Sequence, residues 1–434
     1  MVMKMKSYDI VGIGAGPANL SLAALSTKIK NISAVFIEKR DEFVWHPGML
    51  LPDAKLQVPF LNDLVTLADP TNPYSFLNFL SANRRLYQFI AANFNPMSRA
   101  EFNQYFQWVF NQLENIKKGE EVLNVEFDGK ALSISTPKDT YQTKNLVIGT
   151  GQVPYIPALF KDHIGKDVYH NSQFMHNVGD FKNKRVAIIG GGQSGAEVFQ
   201  NLLLDENNLP SEISWISKRS NFSPLDDTSF TNEVFTPKFI KYFHSLDQKN
   251  KQYYIKEHML ANQGISECTA KELYQKLYEL RFIKQRKENF CLLPSHKLVS
   301  ITKVNAEYSI EIQDLLSGET RNTVVDKIVL CTGYSCEIPP ALSELKSMLK
   351  YDNNGLMIDE NYQLIWDGMD SCSIYIQNGA QHTHGVSDTT LSVAAYRSAT
   401  ILNHIAGSAV YPNNEDSSLI QWGWGSNIKV GAPV

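Results

Sequence analysis

"VAIIGGGQSGAE", residues 186–197, runs from an apolar strand through a glycine turn into a helix. Gly190, Gly192 and Gly195 stand at the G-x-G-x-x-G spacing that opens a dinucleotide-binding βαβ unit. A similar start, "YDIVGIGAGPANLSLAAL", has already been made at residues 8–25, with Gly12, Gly14 and Gly16 in the turn. Two loops of this kind decide the architecture. The expected fold class is α/β, with two Rossmann-like dinucleotide-binding domains and a smaller, mainly helical substrate-binding insertion.

The two loops differ in their ligands. After the first, the strand Ala34–Glu38 ends in Glu38, where a carboxylate can accept from a ribose hydroxyl. Pro17 replaces the last glycine, and proline is tolerated in a first helical turn. An N-terminal loop of this form suits FAD, with NAD as the other candidate. After the second, the strand Glu212–Ser217 leads into Lys218 and Arg219 and carries no acid there. A carboxylate would repel a 2′-phosphate, whereas a Lys–Arg pair attracts one, so this loop favours NADPH over NADH unless the pair is only a basic solvated turn. Gln193 and Ser194 lie within the loop itself.

Composition narrows the classes. The chain has 434 residues, 43% hydrophobic and 20% charged, with a net charge of −4. That is ample for two or three buried cores and offers no basic surface for nucleic acid. The Asp9 carboxylate and the glycines interrupt the first apolar run, so it does not read as a signal peptide, and a cytoplasmic protein without a transmembrane segment is expected. The five cysteines all lie in the second half, which argues against a disulfide framework. Cys331 and Cys336 have no partner pair at metal spacing, so no metal site is expected. No redox pair lies near the first loop, which disfavours a disulfide reductase and leaves oxygen chemistry.

Further along, residues 45–80 are proline-rich but also aromatic and aliphatic, and are expected to pack on the first domain. Phe102, Tyr105, Phe106, Val109 and Phe110 fall at helical spacing in Arg99–Glu114 and predict a buried face. Lys144–Pro157 reads as a strand followed by a glycine turn and a proline stop, and Asp326–Tyr334 as a buried strand ending in a glycine turn, each read as returning to the first domain. No internal repeat is legible beyond the two loops. The expected spans are 1–165 (first domain), 166–222 and 293–334 (second domain), 223–292 (helical segment) and 335–434 (return to the first domain).

"FVWHPGMLLPDAKLQVPFLNDLVTLADPTNPYSFLNFL" (43–80), "GGGQSGAE" (190–197), "FTNEVFTP" (230–237), "CTGY" (331–334) and "HTHGVSDTTLSV" (382–393) resemble the N-hydroxylating flavin monooxygenases of siderophore biosynthesis. These include lysine N6- and ornithine N5-hydroxylases and diamine hydroxylases. The F-x-G-x-x-x-H-x-x-x-W/Y fingerprint of more distant flavin monooxygenases is not intact, since Gly165 and His170 are spaced G-x4-H. The resemblance implies FAD reduced by NADPH, O2 activation through a C4a-hydroperoxyflavin, and N-hydroxylation of a neutral primary amine. It implies a homodimer or homotetramer. It places Trp45, His46 and Gln57 beside the flavin, with Gln57 at the reactive edge, although His46 also reads as a buried structural histidine. Asn232 would touch substrate and nicotinamide, and Asn262 the substrate. Ser392 would lie near the amine end, or is a helix-surface hydroxyl. His384, Gly385 and Asp388 would lie against the cofactor.

The ornithine and lysine enzymes carry a lysine, which binds the substrate α-carboxylate, where this chain has Asn62. A neutral amide supplies no charge for a desolvated carboxylate. The expected substrate is therefore an amine without one: putrescine or cadaverine first, histamine next. Lysine or ornithine is the alternative if another cation, such as Lys55, fills the role. A carbon- or sulfur-oxidising flavin monooxygenase, which the broken fingerprint argues against, and a non-catalytic NADPH-binding redox sensor are the other classes compatible with the two loops.

Overall fold

The computed structural model describes residues 5–177, 179, 181–205, 207–286, 289–412 and 418–423. The outer ends of the first and last expected spans, 1–4 and 424–434, lie outside these residues.

Two five-stranded parallel sheets carry the molecule. In the first the order is Ser373–Ile376, Asn145–Ile148, Ile10–Ile13, Ala34–Ile37 and Ile116–Lys117. In the second it is Val168–His170, Lys327–Leu330, Arg185–Ile189, Glu212–Ile216 and Asn289–Leu293. In both, the strand that runs into the glycine loop is central. Such strands are buried on both faces, which is why Ile10–Ile13 and Val186–Ile188 read as continuous apolar runs. Each domain also sends out a three-stranded antiparallel meander, Asn124–Thr143 in the first and His296–Val325 in the second, immediately before the strand beside its central one. The internal repeat thus extends well beyond the two loops. The meanders diverge too far in sequence to show it.

Three expectations need correction. The strand Lys327–Leu330 does not return to the first domain. It lies between Val168–His170 and Arg185–Ile189 in the second sheet. Residues 289–293, expected at the end of the helical segment, form the edge strand of that same sheet, paired with Glu212–Ile216. Residues 45–80 do not pack on the first domain alone. Met49, Leu51 and Ala54 are buried in the second core, with Tyr169, Phe174 and Val329.

The helix Arg99–Gln112 buries Phe102, Tyr105, Phe106, Val109 and Phe110 completely against the first sheet's core, about 1.5–3 kcal/mol for each large apolar side chain. Ser98 caps it by accepting from the Ala100 N–H. The tail contributes the edge strand Ser373–Ile376 and the helix Ala394–Ala406, which packs along the glycine-loop helix Pro17–Ser26. Helices within 237–263 cluster around Val234, Phe239, Phe243 and Ala261, and Val386 of the tail completes that core, whereas the helix Glu267–Tyr278 buries Leu273 in the second core against Gln193–Leu204. Where the chain passes between the two sheets, Val153–Pro154 pairs with Tyr334–Ser335, so the outward and return crossings are zipped together. No helix among the described residues is long and apolar enough to cross a membrane.

Candidate active site

Both glycine loops are built as anion cradles. Gly14 has φ 82°, and a Cβ there would lie 2.8 Å from the Gly149 carbonyl oxygen. Gly190 has φ 131°, and its Cβ would lie 2.1 Å from the Cys331 carbonyl oxygen. Only glycine fits either position. The helices that follow, Pro17–Ser26 and Gln193–Leu204, begin at Gly16 and Gly192, and no side chain caps either N-terminus. Uncapped first-turn N–H groups with the helix dipole behind them suit a pyrophosphate.

Glu38 stands at the first loop, accepting from the Ala15 N–H at 2.8 Å and the Arg40 N–H at 3.0 Å. Gly12 lies in the strand Ile10–Ile13 against Phe36, Gly14 makes the turn, and Trp45 and His46 follow in the excursion after Glu38, near Phe106 and Tyr334. Trp45 is half-buried, its ring edge-on to Phe106 at 5.2 Å and its backbone N–H donating to Asn103 Oδ1 at 2.8 Å. His46 has a left-handed backbone, φ 47°. Its ring is open to solvent on one side, but the protein packed around it, with Arg99 and Arg40, pushes its pKa down to about 4. It is therefore neutral at physiological pH. Gln57 is exposed between buried Leu56 and half-buried Val58.

At the second loop, Gln193 is held on both sides. Its amide donates to Glu197 (2.9 Å) and Thr269 (3.1 Å) and accepts from the Ser266 N–H (2.8 Å). Ser194 is half-buried and Gly195 is packed under Trp215. Arg219 donates to the Gln263 carbonyl at 2.7 Å, beside Gly192, and burial lowers its pKa from the ordinary arginine value. Lys218 is exposed next to it. A basic pair at this loop fits the 2′-phosphate of NADPH.

The residues expected at the substrate converge on the turn 385–392. Asn62 donates to Ser392 Oγ at 3.0 Å, across 330 residues of sequence. These two side chains thus mark one point and not opposite ends of a substrate. Asn262 donates to the Val386 carbonyl (2.7 Å) and Thr389 Oγ1 (3.2 Å), while its own carbonyl oxygen is buried without a partner. The short helix Thr231–Phe235 packs on the same turn, and its Asn232 is exposed, donating to the Asp227 carbonyl at 2.9 Å. Lys55 forms an ion pair with Glu272.

His384 and Asp388 are turned inward. His384 is 1% exposed, stacked on Tyr362 at 3.9 Å and hydrogen-bonded to Thr383. Asp388 is fully buried, one carboxylate oxygen accepting from Arg397 and the other from the Ala380 N–H. Neither side chain has an open face for a cofactor, and Gly385 between them, φ 88°, makes the turn. Arg397 escaped notice in the sequence. It is 1% exposed in the helix Ala394–Ala406, on a face shared with buried Ala394 and Ile401.

Two glycine loops, each opening an uncapped helix beside the central strand of a parallel sheet, define a two-nucleotide oxidoreductase. The chain belongs to the L-lysine 6-monooxygenase/L-ornithine 5-monooxygenase family, whose pattern matches residues 6–336. It is 34% identical to the L-lysine N6-monooxygenase of Escherichia coli over 96% of this chain and 99% of that one. It is 36% identical to the putrescine N-hydroxylase of Shewanella oneidensis, over 93% of this chain and 82% of that one. Its structure superposes with a TM-score of 0.91 on the FAD-bound cadaverine monooxygenase of Erwinia amylovora, at 29% identity, covering 98% of this chain and all of that one. It is a flavin-dependent N-monooxygenase with FAD and NADPH as cofactors. FAD supplies the oxygen-activating redox chemistry and NADPH the hydride. The two glycine loops, with Glu38 at the first and Lys218 and Arg219 at the second, would hold the nucleotides.

Proposed function

We propose that this enzyme hydroxylates the nitrogen of a primary amine that lacks an α-carboxylate, putrescine or cadaverine first and histamine next, within hydroxamate siderophore biosynthesis. The observation that carries this reading is the Asn62–Ser392 pair. Where an amino-acid substrate needs a cation, two neutral groups meet, and Lys55 is already committed to Glu272. A desolvated carboxylate left without a charged partner costs several kcal/mol, by order of magnitude. The free carbonyl oxygen of Asn262 suits an N–H donor on the substrate. The chain's own groups orient the amine and exclude water, and the amine must arrive unprotonated because an ammonium has no lone pair. Gln57 and Asn232 are assigned to the reacting region, and Asn62, Asn262 and Ser392 to the substrate. Assembly as a homodimer or homotetramer and a cytoplasmic location belong to the same reading.

The test is competition between putrescine, cadaverine, histamine, ornithine and lysine, scored as hydroxylamine formed. NADPH consumption alone does not suffice, since uncoupled turnover releases peroxide. A clear preference for lysine or ornithine overturns the substrate assignment.

A further inference from the structure

A continuous line of buried polar groups runs from the first glycine loop to the turn that carries Ser392. Asn19, in the first turn of Pro17–Ser26, donates to the carbonyls of Gly14 (2.8 Å) and Ile13 (3.1 Å). The Gln377 amide donates to Asn19 Oδ1 at 2.9 Å and to the Ala18 carbonyl at 3.1 Å. Its oxygen accepts from Arg397 Nε at 3.2 Å. Arg397 Nη1 then donates to Asp388, to the side chain at 2.7 Å and to the backbone carbonyl at 2.6 Å. Asn19, Gln377, Arg397 and Asp388 are 0, 3, 1 and 0% exposed. A Cβ on Gly149 would lie 2.2 Å from Asn19 Cγ, so the first sheet leaves room for this side chain by having none there.

Stability alone is a weak reason for such a line. Well-packed apolar side chains of similar volume are often as stable as a buried ion pair. What the polar version adds is direction and register. The Gln377 amide presents its NH2 to the glycine loop and its oxygen to the guanidinium, and neither end can slide without losing a bond in a low-dielectric interior. The far end is the turn 385–392: Val386 sits in the helical segment's core, Asn262 donates to its carbonyl, and Asn62 donates to Ser392.

We propose that Gln377 and Arg397 are positioning residues that couple the flavin-pyrophosphate loop to the substrate turn 385–392, so that seating the dinucleotide fixes the geometry at Asn62 and Ser392. The link to substrate rests on the function proposed above, whereas the link between loop and turn does not.

The experiment is backbone hydrogen exchange on wild type and Gln377→Met, each with and without FAD. Methionine keeps the volume and removes both ends of the relay. In wild type, FAD slows exchange at 12–20 and at 386–393. In the variant, FAD still protects 12–20, while 386–393 exchanges about tenfold faster than in wild-type holoenzyme, the effect of losing a buried hydrogen bond. Equal protection of 386–393 in both holoenzymes overturns the proposal, because the turn is then held without the relay. Should Gln377→Met not retain FAD, Arg397→Lys reads the same link. It keeps a positive charge beside Asp388 but cannot serve Gln377 as well, and the same pair of outcomes decides. Steady-state kinetics separate the two readings. A raised KM for the amine, with amine-independent NADPH oxidation unchanged, supports both. Lost protection with the KM of every amine unchanged supports the relay and removes the turn from the substrate site. Parallel loss of amine turnover and NADPH oxidation, with protection retained, overturns the relay.

Discussion

Arg99 donates to Glu197 at 2.6 Å, joining the helix Arg99–Gln112 of the first domain to the glycine-loop helix Gln193–Leu204 of the second. Glu197 is 5% exposed and also takes a hydrogen bond from Gln193, so the second loop is tied to the first domain through two side chains. Arg99→Ala leaves that carboxylate in the interior with only an amide for a partner. The expected cost is about 3 kcal/mol, the lower end for a broken buried pair because Gln193 remains. Glu197→Gln, which removes the stranded charge, is expected to restore much of it in the double variant. Urea unfolding of the four proteins measures both effects.

Replacing Lys218 and Arg219 with alanine is expected to raise the KM for NADPH much more than that for NADH. A charge-assisted hydrogen bond contributes about 1.5–3 kcal/mol, or roughly tenfold or more per residue. Arg219 already donates to Gln263 beside Gly192, which places its guanidinium at the loop before any phosphate arrives. A double variant with its full NADPH preference intact would move the phosphate site elsewhere.

Gln57→Ala is expected to keep FAD and to release more hydrogen peroxide per NADPH oxidised. The side chain is exposed, so its removal leaves the core as it was. Loss of a single positioned donor typically costs about 100-fold or more in the step it serves. The ratio of hydroxylamine to NADPH, read with a peroxide assay, checks this. Unchanged coupling removes Gln57 from the site.

Asn62→Lys places an ammonium against Ser392. Turnover of a diamine, itself cationic at its far end, is expected to fall, with weak use of ornithine or lysine gained. Product quantitation across both substrate classes decides.

Stability is expected to decline in acid through His384. Burial, reinforced by His244, Arg397 and Lys251, holds its pKa well below the ordinary 6.5, so the folded form resists a proton that the unfolded chain accepts. The contribution is whole above pH of about 6.5 and is lost progressively as pH falls below it. Melting temperatures from pH 7.5 down to 5 should drop for wild type, and His384→Phe, which keeps a ring on Tyr362, should flatten the slope. An unchanged slope would assign the acid lability to other groups.

The parts of this fold that are written locally could be read locally. A glycine loop needs about six consecutive residues, and both loops were legible with their helices and second strands. The aromatic face of Arg99–Gln112 was legible by period. What could not be read depends on distant partners. "NFCLL" at 289–293 is too short to distinguish from a helix end until Glu212–Ile216 lies beside it. Asn62 and Ser392 were each singled out, yet nothing in the sequence says that they touch. Asp388 was expected against the cofactor because the resemblance returns the tail to the flavin at 384–388. Its partner, Arg397, sits nine residues on in the helix Ala394–Ala406, and nothing in the sequence says that the two meet.

The burial of Met49, Leu51 and Ala54 in the second core bears on how such enzymes can be recombined. A chimera that exchanges only residues 166–334 to change coenzyme preference would leave three side chains shaped for a different host, and a hole or a clash in the guest. The transferable unit is discontinuous. It includes the stretch around 49–54, which also carries the chain from His46 to Gln57. In this architecture coenzyme choice and flavin-site geometry are inherited together, through a few residues that neither glycine motif contains.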